Sequence, residues 1–364
     1  MIPRSLRNNR RFLASCNAPP NHLYPVNCPL ISIIIPALNE EKVIGKCLAS
    51  LAAQNIDCHE FEVLVVDNGS QDSTIKIARG FQNQLNLSIL SKSGNISAVR
   101  NFGAASAKGQ FFAFLDADCC APTGWLRRAI ALMQSGDGGV IGGYHAIPPS
   151  SSWIAKSWWG DLAKTKKGAV SYIPSGTLLV SQRVFREIGG FDAGLQTSED
   201  FDLCHRAASA GYHVLAYPEL STVHLGTPQT FKAFYHQHNW HGSGVRTAFL
   251  ANIFHPRFLK TFLLTLYTMF WTIVTLLSAP VAIMTKHALF LLVGPAFLLL
   301  GAVAMASRDA ATRQRPSLIP PLIPLYLVYG IARSLSFISV GNRRTPRTSG
   351  GSLVAPSIAK VGRH

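Results

Sequence analysis

From Leu30 onward, short apolar runs alternate with amphipathic stretches, and this alternation sets the list of elements. Ile31-Ser-Ile-Ile-Ile35 is a β-branched run ended by Pro36, which reads as a buried strand by length and composition. Residues 40–53 place Val43, Ile44, Cys47, Leu48 and Leu51 at helical spacing. Phe61-Glu-Val-Leu-Val-Val66 reads as a second strand, closed by Asp67-Asn-Gly-Ser70. A helix to about residue 80, a strand over 87–90, a helix over 96–107 and a strand over 111–115 follow. Strand–helix alternation at this spacing predicts an α/β fold, a mostly parallel sheet with helices on both faces. In such sheets the ligand sits beyond the carboxyl ends of the strands. Three polar clusters, at 36–40, 67–70 and 116–118, fall at those ends.

The pattern changes beyond Pro256. Residues 261–285 carry no formal charge between Lys260 and Lys286, and residues 288–307 carry none either. A bilayer core takes about 20 apolar residues, so both segments read as membrane spans. A third segment, 317–340, contains Pro320, Pro321, Pro324 and Arg333. Proline frees backbone carbonyls and a lipid-facing arginine is costly, so this segment is expected to be re-entrant or interfacial, with a third span as the alternative. The expected layout is a basic arm at 1–29, an α/β domain at 30–256, a membrane region at 257–342 and a basic tail at 343–364.

Composition agrees. Only 14% of residues are charged, against about 25% in soluble domains, and the 48% hydrophobic content excludes disordered and collagen-like chains. The net charge of +16 suggests nucleic acid until it is located along the chain. The first 29 residues hold four arginines and no acid, residues 30–256 have a net charge of +1, and residues 257–364 hold 12 bases against Asp309 alone. The excess therefore brackets the apolar segments, as at a cytoplasmic membrane surface, and no basic nucleic-acid groove is expected. Seven scattered cysteines without a CxxC pair read as reduced thiols, and the N-terminus lacks the apolar core of a signal peptide. The expectation is a multi-pass protein of the cytoplasmic (inner) membrane, with the α/β domain and the C-terminus inside.

Asp116-Ala117-Asp118 follows the strand at 111–115. Two carboxylates this close at a buried strand end are costly unless a cation sits between them, and Mg²⁺ or Mn²⁺ shared with substrate phosphates answers that need. Turn chemistry is the plainer reading of the same residues. Asp67 and Asn68 can read a base edge or cap the next helix. Arg100 can bring charge to a pyrophosphate or lie on a solvated face. Thr197-Ser-Glu-Asp-Phe-Asp202 starts a helix, where Thr197 and Asp200 fit a capping box. That leaves the crowding of Glu199, Asp200 and Asp202, which suits a general base. His224 is a possible metal ligand or a structural histidine.

The ordered set PALNE, VVDNGS, AVRNFGA, FLDAD, PSGTLLV, GGFD, SEDFDLCHR and VHLG, over residues 30–245, resembles the family 2 glycosyltransferases. The resemblance implies a GT-A fold, a nucleotide-sugar donor, expected to be a UDP-sugar, a divalent metal and inversion at the anomeric carbon. It implies that Pro36, Asn39, Glu40, Asp67 and Asn68 hold the nucleoside, with Arg100, Asp116 and Gly176 completing the donor site. Asp116, Asp118 and His224 would hold the metal, and Glu199 and Asp200 would form the catalytic pair with Asp200 as base. Asn68 stands where many members have a second aspartate. Gln237-His-Asn-Trp240 is similar to the acceptor-channel motif of processive synthases but lacks their arginine and one residue of spacing, which disfavours processive synthesis. The membrane segments point to a lipid-linked or glycan acceptor. The alternatives are a polyprenyl-phosphate sugar transferase, a non-catalytic sugar-nucleotide-binding membrane protein and a nucleotidyltransferase.

Overall fold

The computed structural model describes residues 29–57, 59–136, 139–160, 167–195, 197–243 and 256–338. The expected N-terminal arm, except residue 29, and the basic tail lie outside the described residues. The chain opens with β1 (Ile31–Ala37), α1 (Ile44–Ala52), β2 (Phe61–Asp67), α2 (Thr74–Arg79), β3 (Leu87–Ser91), α3 (Ile96–Ser106) and β4 (Phe111–Leu115). Next come β5 (Cys119–Cys120), α4 (Trp125–Gln134), β6 (Val140–Gly142), α5 (Trp153–Trp159) and β7 (Gly168–Ala169). Then follow β8 (Thr177–Ser181), α6 (Gln182–Glu187), α7 (Glu199–Ser209), β9 (Val214–Ala216) and β10 (Val223–His224). The main sheet has the order β3-β2-β1-β4-β8-β6-β9-β7. Its first four strands are parallel, while β8 runs antiparallel between β4 and β6.

The two-residue period of the strands divides the core. Ile31, Ile33 and Ile35 join Phe61, Val63 and Val65 beneath α1, α2 and α4, with Leu48, Ala78 and Trp125. Ile34, Leu64 and Val66 face the other way, onto Val99 of α3, Phe185 of α6 and Leu203 of α7. Burying each such large apolar side chain contributes about 1.5–3 kcal/mol, which makes this two-faced sheet the rigid platform of the site. Local boundaries differ from the sequence expectation in two places. β1 runs through Pro36 to Ala37, in register with Val66 and Asp67, because a proline at the end of a strand forfeits one donor only. α1 starts at Ile44, since residues 41–43 turn to bring the chain off the strand.

Beyond β10 lie α8 (Phe231–Ser243), α9 (Pro256–Thr285), α10 (Phe290–Thr312) and α11 (Ile319–Ile338). Three stretches, 262–285, 290–312 and 316–337, are helices long and apolar enough to cross a membrane. α9 and α10 pair as a hairpin, with Trp271 stacked on Phe297 at 4.0 Å. Their outer surface exposes Leu276, Ile283, Met284, Leu289 and Leu292.

α11 is an uninterrupted helix, which corrects the expectation that its prolines break it. Pro320 and Pro321 lie in the first turn, where backbone N–H groups lack helical partners in any case. Only Pro324 falls inside the helix. Nor does Arg333 stand alone against lipid: its guanidinium lies 5.1 Å from the ring of Tyr329, beside α8. The helix lies across one end of the α9–α10 hairpin. Phe337 meets Phe262 at 5.7 Å and Ser334 Oγ donates to the carbonyl of Thr265 at 3.3 Å. Towards its start, Leu322 packs with Ala306 and Ala310 near the end of α10. Both ends of α11 thus meet the end of the hairpin remote from its 286–289 turn. Arg313 fastens this assembly to the α/β domain, donating to the carbonyls of Ser157 and Trp158 at 3.0 Å each while paired with Asp309.

Candidate active site

The parallel strands deliver their polar ends to one edge, and the antiparallel β8 begins there. Leu115 pairs with Thr177, so Gly176 comes to rest beside Asp116. A Cβ on Gly176 would lie 2.6 Å from Asp116 Oδ2 and 2.9 Å from His145 Cε1, so only glycine allows this approach. The short antiparallel pair of β5 and β10 sets His224 opposite Cys119, and the Leu225 amide donates to the carbonyl of Asp118 at 2.8 Å. His224 Nε2 then stands 3.3 Å from Asp118 Oδ2. A Cβ on Gly226 would fall 2.1 Å from that same oxygen. The sequence reading passed over Gly226 and His145, although Gly226 stands within the quoted VHLG.

Arg100 is the electrostatic hub. It is 3% exposed, and its guanidinium donates to Asp116 Oδ1 at 2.6 Å and to Glu199 Oε1 at 2.8 Å. It thereby ties the end of β4 to the start of α7. At 3% exposure it does not lie on a solvated face, which sets aside the plainer of the two sequence readings. Burial works to raise the Asp116 pKa, but Arg100, with His145 and His224 adding to it, outweighs burial and holds the carboxyl below its ordinary range. Asp118 goes the other way: burial and neighbouring Asp116 raise it, against the pull of His224. Burial, with Asp118, Asp116 and Asp72 adding to it, lifts Glu40 to about 8. Burial and then His224 lower His145 to about 3, so it is neutral at physiological pH.

These residues fit a divalent cation. Oxygen, nitrogen and sulfur atoms of Asp118, His224 and Cys119 lie within 4.8 Å of one another. Carboxylate and imidazole suit a hard or borderline ion. The Cys119 thiol is pushed up by burial and stays protonated, which makes it a poor third ligand. Asp116 stands outside that cluster, with one oxygen held by Arg100.

The other predicted residues take these places. Asn39 adopts a left-handed backbone, φ 57°, and accepts from the Gln71 amide at 2.8 Å, while the Glu40 amide donates to Thr74 Oγ1 at 2.7 Å. Pro36 is buried at the end of β1. Asp67 accepts from the amides of Gly69 and Ser70, and Asn68 exchanges two hydrogen bonds with Gly94. These contacts shape the rim loops.

At α7 two expectations fail. The capping box is not built, because Ser198 occupies the N-cap with φ 67° and Thr197 Oγ1 is buried without a partner. The crowding of three acids is also relieved. Asp202 pairs with Arg206 at 2.6 Å, and Glu199 is taken by Arg100 and by Ser175 Oγ at 3.3 Å. Asp200 is half-buried beside them, with one oxygen accepting from the Phe201 amide.

A sequence-family model described as "Glycosyl transferase family group 2" matches residues 111–306, and one described as "Glycosyl transferase family 2" matches residues 32–189. The chain belongs to the family 2 glycosyltransferases. Among curated relatives of this transferase, Glycosyltransferase AglE of Haloferax volcanii is 31% identical over 207 residues, which cover 55% of this chain and 68% of AglE. Poly(ribitol-phosphate) beta-N-acetylglucosaminyltransferase TarS of Staphylococcus aureus is 41% identical over 90 residues, which cover 24% of this chain and only 16% of TarS. Among solved structures, Mannosyltransferase PcManGT from Pyrobaculum calidifontis, in complex with GDP-Man and Mn2+, superposes with a TM-score of 0.55 at 18% identity, covering 85% of this chain and 88% of that one. This likeness is one of fold, and the transferase is a GT-A protein with three apolar C-terminal helices.

Proposed function

We propose that this glycosyltransferase moves a sugar, with inversion, from a nucleotide-diphosphate donor to a hydroxyl of a membrane-associated or lipid-linked acceptor. The donor we assign is a UDP-sugar, on the resemblance of its donor motifs. The observation that carries the reading is the meeting of Asp116, Asp118, His224, Glu199 and Asp200 at one sheet edge, with Arg100 bracing two of them. Pro36, Asn39, Glu40, Asp67 and Asn68 border the nucleoside side of that edge. Asp118 and His224, with Asp116 beside them, would hold Mg²⁺ or Mn²⁺, which supplies positive charge for the diphosphate that departs.

The chain's own residues supply the rest. Glu199 is committed to Arg100 and Ser175, so it holds the start of α7 in place. Asp200, the adjacent carboxylate, accepts the proton of the acceptor hydroxyl as that oxygen attacks the anomeric carbon. Fixing donor and acceptor on one rigid edge lowers the entropic part of the barrier. Arg100, with His145 and His224, keeps Asp116 ionised, so its charge would be available to a bound cation.

The membrane helices support a cytoplasmic-face enzyme whose acceptor shares its bilayer. We place α9 and α10 as the two spans and α11 as an interfacial helix, supported by its crossing position at one end of the hairpin. The test is a transfer assay on full-length protein in nanodiscs with Mn²⁺ or Mg²⁺ and a panel of nucleotide sugars. Three acceptors are offered: a polyprenyl-diphosphate sugar, bare polyprenyl phosphate and a soluble glycan. Transfer to the lipid-linked sugar supports the reading. Transfer to bare phosphate alone replaces it with a polyprenyl-phosphate sugar transferase, and donor binding without any transfer leaves a binding protein.

A further inference from the structure

The seam between α8 and α11 holds polar atoms that the fold leaves without partners. Both ring nitrogens of His238, Arg333 Nε and Ser336 Oγ are buried with no hydrogen bond. His238 is 7% exposed and Ser336 5%. They share one place. The His238 ring lies 5.0 Å from that of Tyr329, and the Arg333 guanidinium lies 5.1 Å from the same ring. Ser336 Oγ and Arg333 Cδ lie 2.8 and 3.3 Å from where a Cβ on Gly242 would stand, so the glycine admits both to the face of α8. Buried polar groups are costly unless bonded, and several at one seam mark a missing polar partner.

The sign of the missing charge follows from the acids nearby. Arg333 makes no ion pair among the described residues. The single acid beyond residue 256, Asp309, is bound by Arg313. A half-buried guanidinium without a carboxylate calls for an anion. Burial, and after it the charge of Arg333, lowers His238 to about 2, so the histidine is a neutral hydrogen-bonding group and the seam's charge comes from the arginine.

The position narrows the anion further. α8 follows closely on β10, which carries His224, and α11 lies across the end of the lipid-exposed hairpin. The seam therefore lies between the sugar-transfer edge and the apolar helices. We propose that Arg333, with His238 and Ser336 beside it, binds the phosphate group of a lipid-linked acceptor. This rests on the lipid-acceptor reading above. A guanidinium holds phosphate through paired hydrogen bonds that a lysine cannot reproduce.

The test measures binding, not turnover, with full-length protein in neutral phosphatidylcholine nanodiscs. The probes are a polyprenyl diphosphate, the uncharged polyprenol of equal length, and a nucleoside diphosphate with Mn²⁺. Wild type is expected to prefer the diphosphate lipid to the polyprenol by about tenfold or more. Arg333→Gln is expected to lose about tenfold or more of that affinity, with Arg333→Lys falling between, while nucleoside diphosphate binding stays unchanged in both. Unchanged lipid affinity in Arg333→Gln overturns the proposal. So does a parallel loss of nucleoside diphosphate, which puts Arg333 on the donor, or full competition by phosphatidylglycerol, which makes the seam a general anionic-lipid contact. The polyprenol comparison needs no variant: equal affinity for the two polyprenyl lipids overturns the proposal even where Arg333→Gln does not fold. Wild type that binds nucleoside diphosphate but neither polyprenyl lipid overturns both this proposal and the lipid-acceptor reading, whereas lipid binding insensitive to Arg333 overturns this proposal alone.

Discussion

Replacing Arg100 with methionine keeps the unbranched stem of the side chain and removes the guanidinium that joins β4 to α7. The arginine is 3% exposed, while Asp116 and Glu199 are 30% and 12% exposed. Breaking a buried pair by deleting one partner costs about 3–5 kcal/mol. Asp116 can regain some water, so the lower end, about 3 kcal/mol, is expected for Arg100→Met. For a domain of this size that is a fall in Tm of roughly 6–12 °C. The sign of the pH dependence makes the test sharper. In wild type the folded pKa of Asp116 lies below its ordinary value, so its contribution is present above that value and is lost as pH falls through the carboxylate range towards the folded value. In Arg100→Met the Asp116 carboxyl loses the cation that held its pKa down, and mild acid relieves the variant by protonating it. The gap in Tm between the proteins is therefore expected to narrow between pH 7 and pH 5. Thermal melts of full-length protein in detergent at both pH values measure it. A Tm within about 2 °C of wild type at pH 7, or a gap that widens in acid, refutes the account of Arg100 as a structural counter-ion.

Three further outcomes follow from other parts of the molecule. Gly226→Ala puts a methyl group 2.1 Å from the present position of Asp118 Oδ2, and is expected to weaken Mn²⁺-dependent nucleoside diphosphate binding about 10–100-fold with little change in Tm; calorimetric titration showing wild-type affinity removes Asp118 from the metal site. Asp200→Asn is expected to keep donor affinity and lose about 10²–10⁴ in transfer rate, and near-normal turnover in folded protein rules out Asp200 as base. With α9 and α10 as the only spans, a reporter fused after His364 should be active in the cytoplasm; activity confined to the far side would make α11 a third span and export the arginines at 343, 344 and 347, against the positive-inside rule.

The sheet was legible because its information is local. The β-branched runs at 31–35 and 61–66 and the apolar run at 111–115 each announce a strand buried on both faces, and the helical spacing of Ile44, Cys47, Leu48 and Leu51 is the face that α1 buries. The apolar lengths of α9 and α10 were equally plain, since hydropathy needs no knowledge of neighbours. The polar clusters at strand ends were also legible as sharing one edge, because in a parallel sheet every carboxyl end lies on the same side. Partner choice was not legible. Arg100 and Glu199 are 99 residues apart, and nothing in either segment says that one guanidinium will hold both Glu199 and Asp116. The acids at 199, 200 and 202 look crowded along the chain, yet a helix turns them towards different neighbours, Arg100 for the first and Arg206 for the last. Arg333 looked like a charge facing lipid because a sequence shows what a helix carries but not what packs against it. Only the tertiary structure, by laying α8 along α11, decides that this charge lies in a protein seam with buried polar atoms around it.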